Sequence, residues 1–90
     1  MPRLRAFLGL ANYYRRFVKN FSLIAKPLTI LASEDQPWTW GHEQHHVFEA
    51  LKQKLGAALV HRRPEVSKSF QLYTGWSSLG LGAFLILGEH

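Results

Sequence analysis

Residues 69–87 read SFQLYTGWSSLGLGAFLIL. The first six, Ser69-Phe70-Gln71-Leu72-Tyr73-Thr74, alternate in the manner of a half-buried strand. Residues 75–79 form a turn-rich link. Residues 80–87 form a glycine-interrupted run that is apolar on both faces, as in a strand buried inside a sheet. Glycines in such a run let a strand bend or approach a neighbour. Gly80-Leu81-Gly82 is only half of a dinucleotide fingerprint, with no helix expected after it. The pattern predicts an antiparallel β-hairpin. A lone hairpin is marginal in water, so either the preceding residues or another chain must cover it.

Upstream the period is helical. Residues 42–55 predict a helix with Gly41 as a tolerable cap and with Val47, Phe48, Leu51 and Leu55 as its buried stripe. Gly56 is expected to end it. Residues 57–60 are apolar without clear period, and His61-Arg62-Arg63-Pro64 reads as a basic turn. Residues 33–37 carry a turn signal. Trp38 and Trp40 alternate onto one side, either as a core corner over helix ends or as a platform for bases. Residues 23–31 predict one helical turn, a bend at Pro27, and a helix over 27–32, with Ile24, Leu28 and Leu31 as its stripe.

Residues 4–21, LRAFLGLANYYRRFVKNF, hold three arginines, a lysine and five aromatic rings. On a helix, Leu4, Phe7, Leu8, Ala11, Tyr14, Val18 and Phe21 line one broad face, widened by Leu10, Tyr13 and Phe17. A helix this apolar needs neighbours on two or three sides. The strip left over is Arg5, Gly9, Asn12, Arg16 and Lys19, with Arg15 at its margin. The fold expected is therefore α+β: three helices in a small cluster over residues 1–66, then an antiparallel hairpin over 67–90, forming one compact unit.

Composition limits the possible functions. The chain has 90 residues, enough for one domain, and 47% of them are hydrophobic, ample for a core. Eleven Lys and Arg against six Asp and Glu give a net charge of +5. That balance suits a polyanion partner and equally suits solubility. The absence of cysteine rules out disulfides and thiolate metal sites. No apolar run reaches the roughly 20 residues of a bilayer span, so no membrane partner is expected. An intracellular location, cytoplasm or nucleus, is expected.

Three constellations could carry chemistry. His42-Glu43-Gln44-His45-His46 matches the H-E-x-x-H zinc signature. It falls in the first turn of its helix and lacks an evident third ligand, so exposed polar residues are the reading adopted and no metal or cofactor is expected. Ser77 and Ser78 have no carboxylate–histidine relay. The basic strip remains, supplemented by Lys26, Lys52, Lys54, Arg62 and Arg63. Arginines beside tyrosines on a helix suit phosphate contact without base readout.

LRAFLGLANYYRRFVKNFSLIAKPLTILASEDQPWTW resembles the stretch of gypsy-type LTR retrotransposon polymerase polyproteins that follows the reverse-transcriptase palm, with L-G-L-x-N-Y-Y-R-R-F at residues 8–17 as its most specific part. Phe48-Glu49-Ala50-Leu51-Lys52 is similar to that family's link into the ribonuclease H domain. Residues 73–77 and 79–85 resemble the opening strands of that domain. The resemblance implies a thumb region that grips nucleic-acid duplexes, with Arg15, Arg16 and Lys19 as phosphate contacts. It also implies the start of a ribonuclease H fold. Two departures matter. The family carries Thr-Asp where this chain has Thr74-Gly75, and glycine cannot hold Mg²⁺ in place of that aspartate. Leu59 stands where the family usually has proline.

The expected function is that of a non-catalytic, retrotransposon-derived interaction module. It would use a protein partner or a second copy bound along the open hairpin edge. The alternative is weak, salt-dependent and non-sequence-specific duplex binding through Arg5, Asn12, Arg15, Arg16 and Lys19.

Overall fold

The computed structural model describes residues 2–33, 35 and 37–87. Four helices form: α1 over Pro2–Tyr13, α2 over Phe21–Ala32, α3 over His42–Arg62 and α4 over Pro64–Leu87, with a 3₁₀ turn at Arg15–Phe17. Among the described residues there is no strand. The expected β-hairpin, and with it the α+β class, is replaced by one long helix.

The reason lies in which residues α4 buries. Ser67, Phe70, Thr74, Ser77 and Leu81 recur at spacings of three and four and form its inner seam. Three of the five carry hydroxyls, so the seam is invisible to a hydrophobic pattern. Each hydroxyl is satisfied within the helix. Thr74 Oγ1 donates to the Phe70 carbonyl at 2.9 Å, Ser77 Oγ donates to the Tyr73 carbonyl at 3.1 Å, and Ser67 Oγ accepts from Gln71 Nε2 at 3.3 Å. Back-bonding of this kind removes the cost of burying an unpaired hydroxyl. Pro64 opens the helix, where its missing N–H is no loss. Glu65 sits in the first turn, where a negative charge is favourable. The alternation of Phe70, Leu72 and Thr74 is real in the sequence, but Leu72 points away from the other two and is exposed.

α3 is the partner of that seam. Phe48, Leu51, Leu55 and Leu59 are all fully buried. The helix does not stop at Gly56. A mid-helix glycine costs about 1 kcal/mol, whereas burying one leucine stabilises by about 1.5–3 kcal/mol, so continuing to bury Leu59 wins. A single residue, Arg63 (φ −140°, ψ 64°), separates α3 from α4, and the two helices fold back on each other.

The N-terminal stretch also differs from the single helix expected. α1 ends at Tyr13. The chain passes through the 3₁₀ turn, an extended Val18 and a left-handed Asn20 (φ 60°) before α2 begins. Asparagine tolerates that conformation better than most residues. The break lets Leu4, Phe7 and Ala11 enter the core from α1 while Tyr14 and Val18 enter from a different direction. That resolves how so broad an apolar surface is covered. α2 is one helix through Pro27 rather than a turn followed by a separate helix, with Ala25, Leu28 and Leu31 buried on either side of the proline.

The core joins all four helices. Phe7 of α1 meets Phe48 of α3 with ring centroids 4.5 Å apart. Trp38 and Trp40 stack at 5.8 Å, Trp40 lies edge-on to Phe48 and Trp38 edge-on to Phe84. The indoles thus close the corner between the start of α3 and the end of α4, and Trp40 is buried. Gly41 N–H donates to Gln44 Oε1 at 2.9 Å, which fastens the first turn of α3.

Candidate nucleic-acid interface

Arg5, Asn12, Arg15, Arg16 and Lys19 are all exposed. They do not share one helix. Arg5 and Asn12 lie on α1, Arg15 and Arg16 on the 3₁₀ turn, and Lys19 in the link before α2. The turn advances the chain faster than an α-helix does, so Arg15 and Arg16 are displaced from the strip the periodicity drew. Asn12 Oδ1 accepts from Arg15 Nη1 at 3.3 Å and helps fix that side chain.

The structure adds a residue from the far side of the sequence. The guanidinium carbon of Arg16 lies 4.9 Å from the centroid of the Phe17 ring, and that of Arg62, the last residue of α3, lies 5.5 Å from the same centroid. Phe17 is itself half-buried and stacks on Tyr14 with centroids 6.1 Å apart. An arginine over an aromatic face gains about 0.5–1 kcal/mol at an exposed site. Two guanidinium groups on one ring also repel each other. Among the described residues no carboxylate pairs with Arg15, Arg16, Lys19 or Arg62. Nearby Arg63 is different, since its Nε donates to Glu65 Oε2 at 2.6 Å. The hydrogen bond and the adjacent charge hold the Glu65 carboxyl below the usual carboxylate range and push the Arg63 guanidinium up. The composite corner is therefore built from Arg16 and Arg62 on the Phe17 ring, with exposed Arg15 and Lys19 flanking Phe17 in the chain. Sequence spacing cannot reveal it, because Arg62 reaches the ring only once α3 runs past Gly56.

The remaining constellations resolve differently. His42 and His46 are exposed, while His45 turns inward, where its Nδ1 accepts from Trp40 Nε1 at 3.3 Å. No group of three His, Cys, Asp or Glu side chains able to hold a metal ion occurs among the described residues. His45 Nε2 lies 3.6 Å from Glu49, whose carboxylate also meets Lys52 Nζ at 2.8 Å and accepts from Ser78 Oγ. Burial pushes the Glu49 carboxyl up. The hydrogen bonds from Lys52 and Ser78, with the charge of Lys52 and the nearby His45, outweigh it and leave the carboxyl lowered. Ser78 donates to the carboxylate rather than to the histidine, and the cluster ties α3 to α4. Gly75, the position compared with a metal-binding aspartate, lies in mid-α4, with open space where a side chain would begin.

Neither a family model nor a solved structure matches the chain. Curated relatives do. The chain is 40% identical over 88 residues to the retrovirus-related Pol polyprotein from transposon 297 of Drosophila melanogaster, covering 97% of this chain and 8% of that protein. It is 36% identical over 95 residues to the Pol polyprotein from transposon gypsy of the same organism, covering 92% of this chain and 9% of the relative. To the Gag-Pol polyprotein of baboon endogenous virus it is 41% identical over 73 residues, 80% of this chain and 4% of the other. The chain belongs to the retrovirus-related Pol polyproteins. Within that class it is of the gypsy type, and it spans less than a tenth of the length of these curated relatives.

Proposed function

We propose that this retroelement-related chain is non-catalytic and binds nucleic-acid duplexes through their phosphates at the corner formed by Arg15, Arg16, Lys19 and Arg62. The observation that carries the reading is the pair of guanidinium groups from distant elements held on one ring, with no carboxylate to neutralise them among the described residues. A phosphate between them would relieve the repulsion, and guanidinium groups suit phosphate geometry through paired N–H donors. Nothing in the corner is shaped to read base edges, so sequence preference is expected to be slight. The non-catalytic part rests on Gly75, which has no side-chain carboxylate to offer a metal ion, and on Glu49, whose carboxylate is already engaged by Lys52 and Ser78.

Fluorescence anisotropy with RNA–DNA, DNA and RNA duplexes across a salt series tests it. Dissociation constants near 10⁻⁴–10⁻⁶ M are expected at physiological salt, weakening steeply as salt rises. Absence of binding at low salt, or binding untouched by Arg16→Glu with Arg62→Glu, sinks the proposal.

A second reading, as a protein-interaction module, no longer has an open strand edge to rest on. It is supported instead by the outward face of α4, where Leu72, Trp76, Leu79, Ile86 and Leu87 are exposed.

A further inference from the structure

α4 carries two seams. Opposite the one packed on α3 lies a second, Leu72, Trp76, Leu79, Ala83 and Ile86, recurring at four, three, four and three residues. Leu72, Trp76, Leu79 and Ile86 are between 66% and 84% exposed. A 3.5-residue repeat of apolar side chains matches the packing surface of another helix, one crossing at a small angle. A helix apolar on both sides belongs inside a larger assembly.

We propose that the outward seam of α4 pairs with the same seam of a second copy of this chain, with the two α4 helices antiparallel. The proposal rests on the interaction reading and not on phosphate binding. Three observations favour this occupant. First, α4 itself carries no charged residue between positions 69 and 87; the charge brought to the border of the seam is that of Arg3 from α1, whose side chain lies against Gly80 beside Trp76 and Leu79. A helix lying on lipid would instead carry its own lysines and arginines along its borders. Second, the seam is self-complementary in the way a two-fold interface requires. Trp76, 68% exposed, still offers about 100–170 Å² of the area a tryptophan can bury, and with three large aliphatic neighbours the patch suits a small interface at the weak end of the specific range. Third, charge sets the direction. Arg16, Arg62 and Arg63 all lie at the start of α4, so a parallel pair would place two basic corners together. An antiparallel pair puts them at opposite ends, about 36 Å apart for a helix of this length.

Sedimentation equilibrium of the full chain from low micromolar to several hundred micromolar tests the proposal. A monomer–dimer equilibrium is expected that tightens with added salt, because screening weakens the repulsion between two chains of +5. Leu79→Glu, at an exposed site, should leave the helical circular dichroism unchanged and raise the dimer dissociation constant at least tenfold. A chain that stays monomeric throughout overturns the dimer, as does association unaffected by Leu79→Glu. A hydrophobic dye then separates the two failures. If the monomer binds the dye and Leu79→Glu abolishes that binding, the seam serves another partner and the interaction reading stands. If the monomer binds no dye, both fall. Binding to anionic vesicles that weakens with salt, without dimerisation, also overturns the proposal.

Discussion

Replacing Gly75 by alanine discriminates between a helix and a hairpin at the same residues, because the sign of the effect reverses. In α4, Gly75 stands near the middle of the helix with nothing within 4 Å of the position a Cβ would take. An alanine there meets no obstacle and restricts the unfolded chain, so the full difference in helix propensity, about 1 kcal/mol, appears as added stability. For a domain of this size that raises Tm by about 4–8 °C. In a hairpin link the same glycine supplies turn conformations that alanine adopts poorly, and the substitution would destabilise. Gly9 and Gly56, in α1 and α3, are equally open, so Gly9→Ala and Gly56→Ala calibrate the gain at helical sites. Gly80→Ala should gain less, because the Arg3 side chain occupies the space its Cβ needs and must move. Thermal and urea unfolding followed at 222 nm supply the measurement. A Tm for Gly75→Ala below wild type, with Gly9→Ala and Gly56→Ala above it, would refute the helical assignment.

Other consequences follow from the same packing. Leu55→Ala empties a fully buried site on α3 and should cost about 2–5 kcal/mol, read as a lower urea midpoint at unchanged slope; a cost below about 1 kcal/mol would mean that this stripe of α3 is not in the core. The Glu49 carboxyl is lowered in the folded chain, so its contribution to stability is present above the usual glutamate range and is lost as pH falls through that range towards the lowered value. Glu49→Gln should therefore reduce the loss of stability between pH 7 and pH 3, by less than about 1 kcal/mol for a partly solvated pair. An identical pH profile in the variant would show that Lys52 and Ser78 do not hold the carboxylate in solution.

How much of this was legible in the sequence depended on what each segment buries. α3 was readable over its first four turns because Phe48, Leu51 and Leu55 are large, apolar and correctly spaced. Its continuation was hidden by Gly56, a helix terminator by propensity that Leu59 overrides through burial. α4 was misread because Ser67, Thr74 and Ser77 fill the seam while Leu72, Trp76 and Leu79 face outward, the reverse of ordinary patterning. Pro27 illustrates the same limit, since local restraint gave way to anchors on either side. Arg15, Arg16 and Lys19 were legible as cations of a resembling thumb. Arg62 as their companion was not, because its approach to Phe17 depends on the full length of α3 and on a 3₁₀ turn no period reports.

The central claim is that Arg16 and Arg62 act together on one phosphate group. A double-mutant cycle of Arg16→Gln and Arg62→Gln, read by anisotropy on a labelled duplex at low salt, measures it directly. Joint action predicts that each single change weakens binding and that the pair couples by at least 0.5 kcal/mol. Additive losses, or an Arg62→Gln variant that binds like wild type while Arg16→Gln does not, would contradict it.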